Sequence, residues 1–346
     1  MNLEFFVLLT RRAAIVCAVP LVLALTACGS AGEASPSPGA DGSAETSGDA
    51  AAAYPVTVDN CGTEVTVTEA PMRIVTIKST STEMVLALGL GDRLVGTAFS
   101  DGPFPEDLAG AGAEAPVLAE RAPSEEVVLE TEPDLVFAGW ESNFSADGAG
   151  ERTDLQELGI ATYVSPAACQ GEGYQPDPLT FDHIFGSIEE AGALLGAPDA
   201  ATELIEAQQA ELAEVDASDA GLSALWYSSG SDTPFVGAGI GAPQLLMETV
   251  GLENIMADTA ETWASVSWEA VAEQNPDVIV LVDSAWNTAE HKIEVLESTP
   301  TTSVLPAVQE GRYLIVPFPA SEAGVRSVPA ATDLAAQLTE LEASVP

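Results

Sequence analysis

A short element is written twice in this chain, and the duplication constrains the fold more than any single motif does. Residues 124–138 read SEEVVLETEPDLVFA, and residues 267–281 read SWEAVAEQNPDVIVL. Ser124, Glu126, Val128, Glu130, Pro133 and Asp134 recur, 143 positions later, as Ser267, Glu269, Val271, Glu273, Pro276 and Asp277. In each copy a serine suits the N-cap of a short helix, and a glutamate in the first turn is favoured by the helix dipole. Pro-Asp then leads into an apolar strand. A chain that repeats this unit so far apart is expected to hold two comparable lobes.

The segments around the repeats alternate in the same way. Val56–Val58 and Glu64–Val67 flank Asn60-Cys61-Gly62, a hairpin signal. Arg73–Ile77, Leu94–Ala98, Asp134–Ala138 and Ala161–Val164 read as strands, separated by helical stretches such as Ser81–Leu88 and Glu151–Leu158. Continuous apolar strands between helices imply a parallel sheet covered on both faces. From Thr180 to Val215 the strand signal vanishes. Ile184, Ile188, Leu194, Leu195, Leu204, Ile205 and Leu212 keep helical spacing, with a break at Gly196-Ala197-Pro198. Strand–helix alternation resumes with Ala224–Tyr227 and continues through Val278–Val282 and Leu314–Val316 to a last helix near Ala330–Leu341. The expected architecture is α/β: two Rossmann-like lobes joined by a long rigid α-helix.

The amino terminus carries an address. Arg11 and Arg12 precede an apolar run, Ala13–Leu25, that is too short for a stable membrane span. Leu25-Thr26-Ala27-Cys28 resembles a lipobox, which makes Cys28 the expected lipidation site and residues 1–27 a signal peptide. Residues 28–53 are small, polar and low in complexity, as in a flexible tether. The folded part then divides into 54–181, a connecting helix over 182–217, and 218–346. Its two cysteines, Cys61 and Cys169, suit one disulfide in an oxidising compartment, with two separate buried thiols as the alternative.

With 54 acidic against 10 basic residues the net charge is -44, which excludes nucleic acid and anionic membrane surfaces as partners. The lipid is then the expected tie to the membrane.

The run PMRIVTIKSTSTEMVLALGLGDRLVGTAFSD, the helical crossing and the two repeats together resemble the periplasmic substrate-binding proteins for ferric siderophores and cobalamin. The resemblance spans Tyr54 to Val345 and rests on the order of elements more than on one diagnostic motif. It implies a monomer that is not an enzyme and that hands a ligand from an interlobe cleft to an ABC transporter permease dimer. In that family one glutamate per lobe reaches arginines of the membrane subunits, and Glu126 and Glu269 match those positions. STSTEMVLALGLG, GWESNF, LWYSSGSDTPFVGAGIGAP and SEAGVRS resemble an actinobacterial subgroup linked to import of a deazaflavin coenzyme precursor. A ferric siderophore, haem or cobalamin is the alternative ligand, and an adhesive lipoprotein without a small ligand is the other class.

Ligands of open α/β sheets bind beyond the carboxyl ends of the strands. Lys78 and Ser79 follow the first sheet strand, Trp140 the third, Trp226 and Tyr227 close the first strand of the second lobe, and Trp286 and Arg326 lie in later loops. Tyr174 and Trp263 are further loop aromatics. We expect a sizeable conjugated anion, stacked on Trp140, Trp226 or Trp286 and held by charge at Lys78 and Arg326. Pairing of Arg326 with Glu322 is the competing expectation. No protein metal site or resident cofactor is expected, because His183 and His291 are the two histidines and no ligand spacing joins them. Gly237, Gly239 and Ala242 fit a dinucleotide fingerprint in form, yet no acidic residue follows at ribose distance. Backbone amides for an anion, or plain turn chemistry, are the two readings of those glycines.

Overall fold

In the computed structural model, residues 54–175 and 178–344 are described. The signal peptide, Cys28 and the tether lie outside the described residues.

A hairpin opens the body. β1 (Val56–Asn60) and β2 (Thr63–Val67) pair antiparallel across Cys61-Gly62. Both turn residues have positive φ, 54° and 78°, which the right-handed twist of a two-residue hairpin favours. A disulfide links Cys61 to Cys169, with Cα atoms 5.2 Å apart, and so ties the hairpin to the segment that follows the first lobe's last strand.

The first lobe contains β3 (Ile74–Ile77), α1 (Ser79–Ala87), β4 (Leu94–Ala98), α2 (Ala109–Glu114), β5 (Val117–Ala119), α3 (Glu125–Leu129), β6 (Leu135–Ala138), α4 (Arg152–Glu157) and β7 (Ala161–Val164). Its sheet has the order β5-β4-β3-β6-β7, and every pair is parallel. β3 and β6 are buried at every position, as their unbroken apolar runs require.

α5 (Phe181–Leu195) and α6 (Pro198–Leu212) occupy the helical connection. The expected single helix is therefore a pair. Gly196 ends α5 at φ 78°, a left-handed C-cap that suits glycine, and Pro198 starts α6 where its missing N–H costs nothing. The two helices touch so closely that a Cβ on Gly192 would lie 2.3 Å from the Ala201 Cβ.

The second lobe contains β8 (Ser223–Ser229), β9 (Phe235–Gly237), α7 (Ala242–Thr249), β10 (Glu253–Asn254), β11 (Trp263–Ser265), α8 (Trp268–Gln274), β12 (Val278–Asp283), α9 (Ala289–Ser298), α10 (Pro306–Gln309), β13 (Tyr313–Pro317) and α11 (Ser327–Ser344). Its sheet order is β11-β9-β8-β12-β13, with β10 beside β8. β8, β10, β12 and β13 run parallel, whereas β9 and β11 form an antiparallel edge. The chain between β8 and β9 is too short for a parallel crossover, so a reversal is the remaining connection.

The duplicated element folds the same way twice. Ser124 accepts a hydrogen bond from the Val127 N–H to cap α3, and Ser267 accepts one from the Ala270 N–H to cap α8. Asp134 then accepts from the backbone N–H groups of Met72 and Arg73 at 2.7 and 3.0 Å, at the entrance to β3. Asp277 accepts from the Ser223 N–H at 3.0 Å, at the entrance to β8. Each Pro-Asp thus pins the start of its lobe's neighbouring strand, where the first amides would otherwise lack partners. Glu126 and Glu269 stand exposed in the first turns of α3 and α8.

Candidate functional site between the lobes

The carboxyl ends of β3, β6, β7, β8, β12 and β13 bring their loops together, the position at which open α/β sheets bind ligands. A cavity of about 540 Å³ lies there, lined by Gly139 and Trp140 after β6, Ser165 after β7, Ser228 and Ser229 at the end of β8, and Trp286 after β12. Phe318, Ser321 and Glu322 close it from the loop after β13. Phe235 and Trp263 form another wall and stack on each other, with ring centroids 5.8 Å apart. A second cavity of about 410 Å³ adjoins it and shares Thr80, Ser165, Ala167, Leu179 and Ala323 with the first. The walls are aromatic and hydroxylic.

Behind this wall the lobes are joined by polar contacts. The Trp140 indole N–H donates to Glu322 Oε1 at 2.8 Å, from one lobe to the other. Burial pushes the Glu322 carboxyl up to about 7, aided by nearby Asp101 and opposed by the Lys78 charge and the Trp140 hydrogen bond. On α1, buried Glu83 receives two hydrogen bonds from Arg326, which reaches over from the loop after β13. Arg326 also donates to the Pro103 carbonyl at 2.7 Å. Burial raises the Glu83 carboxyl above its ordinary range even though the guanidinium works against that shift.

Lys78 lies deeper. It is 0% exposed, ion-paired with Asp101, and its Nζ sits 3.6 Å from the Trp140 ring centroid and 4.3 Å from that of Phe99. Its φ of 83° is a conformation that non-glycine residues adopt at a cost of about 1–3 kcal/mol. Around it, the Lys78 N–H donates to the Ala98 carbonyl, the Ser79 N–H to Asp101, and the Asp101 N–H back to Ser79 Oγ. Ser79 is therefore part of this buried lock. Among the described residues, neither cavity has a lysine or an arginine on its wall. The expected anion contacts are thereby corrected: Lys78 is sealed behind Trp140 by its bond to Asp101, and Arg326 is held by Glu83, not by Glu322.

Two of the expected aromatic contacts are also corrected. Trp226 is 0% exposed and Tyr227 is buried, because β8 runs on to Ser229 and is the middle strand of its sheet. With side chains alternating, Trp226 joins one core layer and Tyr227 the opposite one, where it packs edge-on against Trp268. The residues that do reach the cavity from this strand are Ser228 and Ser229. Trp140 and Trp286 are placed on the wall as expected, and Trp286 is 62% exposed, edge-on to Phe318 at 5.6 Å. Tyr174 lines the smaller cavity.

Three participants were missed from sequence. Thr80 is 7% exposed and lines both cavities, and its sealed hydroxyl has no hydrogen-bond partner among the described residues. Phe235 stands at a strand start, and Glu322 was read only as a partner for Arg326. Part of the glycine-rich stretch follows turn and packing chemistry, while Gly241 and Ala242 at the start of α7 line the larger cavity. The N–H groups of Ala238, Gly239 and Ile240 donate to the carbonyls of Thr262, Thr259 and Glu261, so they are not turned to an anion. A Cβ on Gly239 would lie 2.1 Å from the Ala257 carbonyl oxygen, which explains a glycine at that position.

Comparison with known proteins adds four findings. Residues 74–320 match the family described as periplasmic binding protein. An ABC transporter substrate-binding lipoprotein of Bacillus subtilis, YvrC, is 26% identical over 82% of this chain and 85% of its own length. A cobalamin-binding protein of Halobacterium salinarum is also 26% identical, over 84% of this chain and 72% of its own. Among solved structures, an ABC-type Fe3+-hydroxamate transport system protein from Saccharomonospora viridis superposes with a TM-score of 0.70. It is 28% identical, covering 83% of this chain and 99% of that one.

Proposed function

This chain belongs to the periplasmic binding protein family, and from that premise we propose that it is the solute receptor of an ABC importer. It is anchored by a lipid on Cys28 at the extracellular face of the membrane, captures a small molecule between its lobes as a monomer, and presents it to a permease dimer. Glu126 and Glu269, exposed at equivalent places in the two lobes, are the docking handles. The two membrane subunits would each meet one.

The observation that carries this reading is the aromatic cavity at the strand ends, walled by Trp140, Trp263, Trp286, Phe235 and Phe318. Its size of about 540 Å³ suits one drug-sized ligand, and clustered rings suit a flat conjugated one. A deazaflavin coenzyme precursor is such a molecule, with hydroxyls to meet Ser165, Ser228 and Ser229. An iron–siderophore complex or cobalamin is the second class, supported by the names of the relatives, and haem is a further flat candidate. These would project from the cavity towards solvent, and any metal would arrive inside the ligand.

Titration calorimetry and tryptophan fluorescence with deazaflavin precursors, ferric siderophores, haem and cobalamin test the proposal. One member of the panel binds with one-to-one stoichiometry and quenches the indoles. If none binds while a bare divalent metal does, the reading is wrong.

A further inference from the structure

The free hydrogen-bond donors of the larger cavity are gathered at one end. The chain leaving α7 enters β10, which pairs with the start of β8 at Ser223, so the opposite end of α7 stands at the carboxyl end of β8, on the cavity wall. The first amides of a helix have no partner within it. Among the described residues the N–H groups of Gly241 and Ala242 meet no acceptor, although both residues are buried. Gly241 also lets Thr262 approach closely, since a Cβ there would lie 3.1 Å from the Thr262 Cα. Thr262 lines the same wall.

A second observation is independent of the helix end. Ser228 is 4% exposed and lines the cavity, and its hydroxyl has no hydrogen-bond partner among the described residues. Unlike the Thr80 hydroxyl, it is not sealed. The β8–β9 register shifts between Tyr227 and Ser229, so Ser228 has no counterpart on β9, the arrangement in which a bulge re-aims a side chain. A hydroxyl so enclosed and unpaired calls for an atom that enters the cavity. Sheet order sets these donors apart from Glu322. Ser228, Thr262 and the start of α7 belong to the side of β8, β9 and β11, whereas Glu322 follows β13 at the opposite edge. The partial positive charge of a helix start favours oxygen acceptors.

Resting on the reading of this cleft as a solute site, we infer that the start of α7 and Ser228 form a subsite for an oxygen-acceptor edge of the solute, a ring carbonyl or a carboxylate. The Gly241 and Ala242 amides donate to it together with the Ser228 hydroxyl, and the aromatic walls hold the attached frame. Deazaflavin rings carry carbonyls, haem carries carboxylates, and hydroxamate siderophores carry carbonyl oxygens, so the subsite suits these proposed ligands and fixes which end points at α7. Neutral donors do here what Lys78 and Arg326 do not, because those two are bound elsewhere.

Three planar tricycles are the probes: lumichrome with its carbonyl edge, 2-anthracenecarboxylate with a charged acceptor, and 2-aminoanthracene with a donor instead. All are titrated against the full chain in about 0.15 M salt, which screens charges beyond about 8 Å. Lumichrome or the carboxylate binds with one-to-one stoichiometry, quenches tryptophan emission and exceeds the amine about tenfold. Whichever of the two is tighter tells a ring carbonyl from a carboxylate. Ser228→Ala weakens that probe several-fold and narrows the preference over the amine. Ala242→Pro does the same by deleting one amide at a helix position where proline fits. Ser228→Ala carries the test alone if the proline variant melts early. Amine binding as tight as that of the acceptor probes, or an unchanged acceptor affinity in Ser228→Ala, overturns the inference. Should the three probes fail while a member of the wider panel binds, that ligand takes their place. Equal affinity of parent and Ser228→Ala for it then overturns the inference and leaves the receptor reading intact. Failure of every ligand and probe removes both.

Discussion

Arg326 and Glu83, 243 positions apart, form a two-pronged ion pair that fastens the second lobe to the first helix of the first lobe. The Glu83 side chain is 1% exposed and that of Arg326 is 13% exposed. Removing one partner leaves an uncompensated buried charge, which costs about 3–5 kcal/mol. Arg326→Met should lower Tm clearly, and Glu83→Met/Arg326→Met together should recover most of the loss. Thermal melts of the two variants decide it. A double variant as unstable as the single one would show that the pair does not act as a unit.

Glu322 gives a pH signature. Its folded value of about 7 lies above its ordinary value, so the folded state holds the proton more tightly than the unfolded chain does. Stability from this group is present at acid pH and is lost as pH rises towards 7. Glu322→Gln should therefore gain Tm relative to the parent between about pH 4.5 and 7 and keep that gain above it. Equal pH profiles for the two proteins would contradict the assignment.

Lys292 holds the Trp286 loop from beneath. It is fully buried, and its Nζ donates to the carbonyls of Val282 and Asn287, each at 2.6 Å. Burial lowers this amine to about 8, with Asp283 opposing the shift. The unfolded chain then binds the extra proton between about pH 8 and 10.5, so stability from this group rises with pH across that window. Relative to the parent, Lys292→Met should lack that rise, as Tm measured across the window would show. It should also weaken solute binding roughly tenfold by releasing Trp286, as a charge-assisted hydrogen bond of about 1.5–3 kcal/mol implies. An unchanged affinity would limit Lys292 to a structural role.

The docking proposal separates transport from binding. Glu126→Ala/Glu269→Ala should abolish permease binding and uptake, while solute affinity stays within about twofold. Surface substitutions of this kind usually move stability by less than about 0.5 kcal/mol. Normal uptake by the double variant would sink the proposal, and so would loss of the fold.

Much of the architecture was legible locally. Serine caps and unbroken apolar strands depend on neighbours within a few residues, and Ser124 and Ser267 act as that chemistry predicts, whereas Asp134 and Asp277 bind strand starts 62 and 54 positions away. The interruption of the helical connection was also written, in Gly196-Ala197-Pro198. The site was legible in part: the loops after the strands converge as expected, and Trp140 and Trp286 stand on the wall. Trp226 failed because its side chain is governed by how far β8 extends and by what covers each face of the sheet.

The sequence by itself determined two lobes of alternating strands and helices, because backbone propensity, capping and period are short-range. The tertiary structure alone decided which charges remain for a ligand. Lys78 meets Asp101 and Arg326 meets Glu83 only after strands distant in sequence have paired and the lobes have met. Ion pairing acts through space and burial, and neither is encoded by spacing along the chain. The same two basic residues that made an anion site plausible on paper are therefore fastened inside the fold, leaving Glu141, Glu322 and aromatic rings at the cleft.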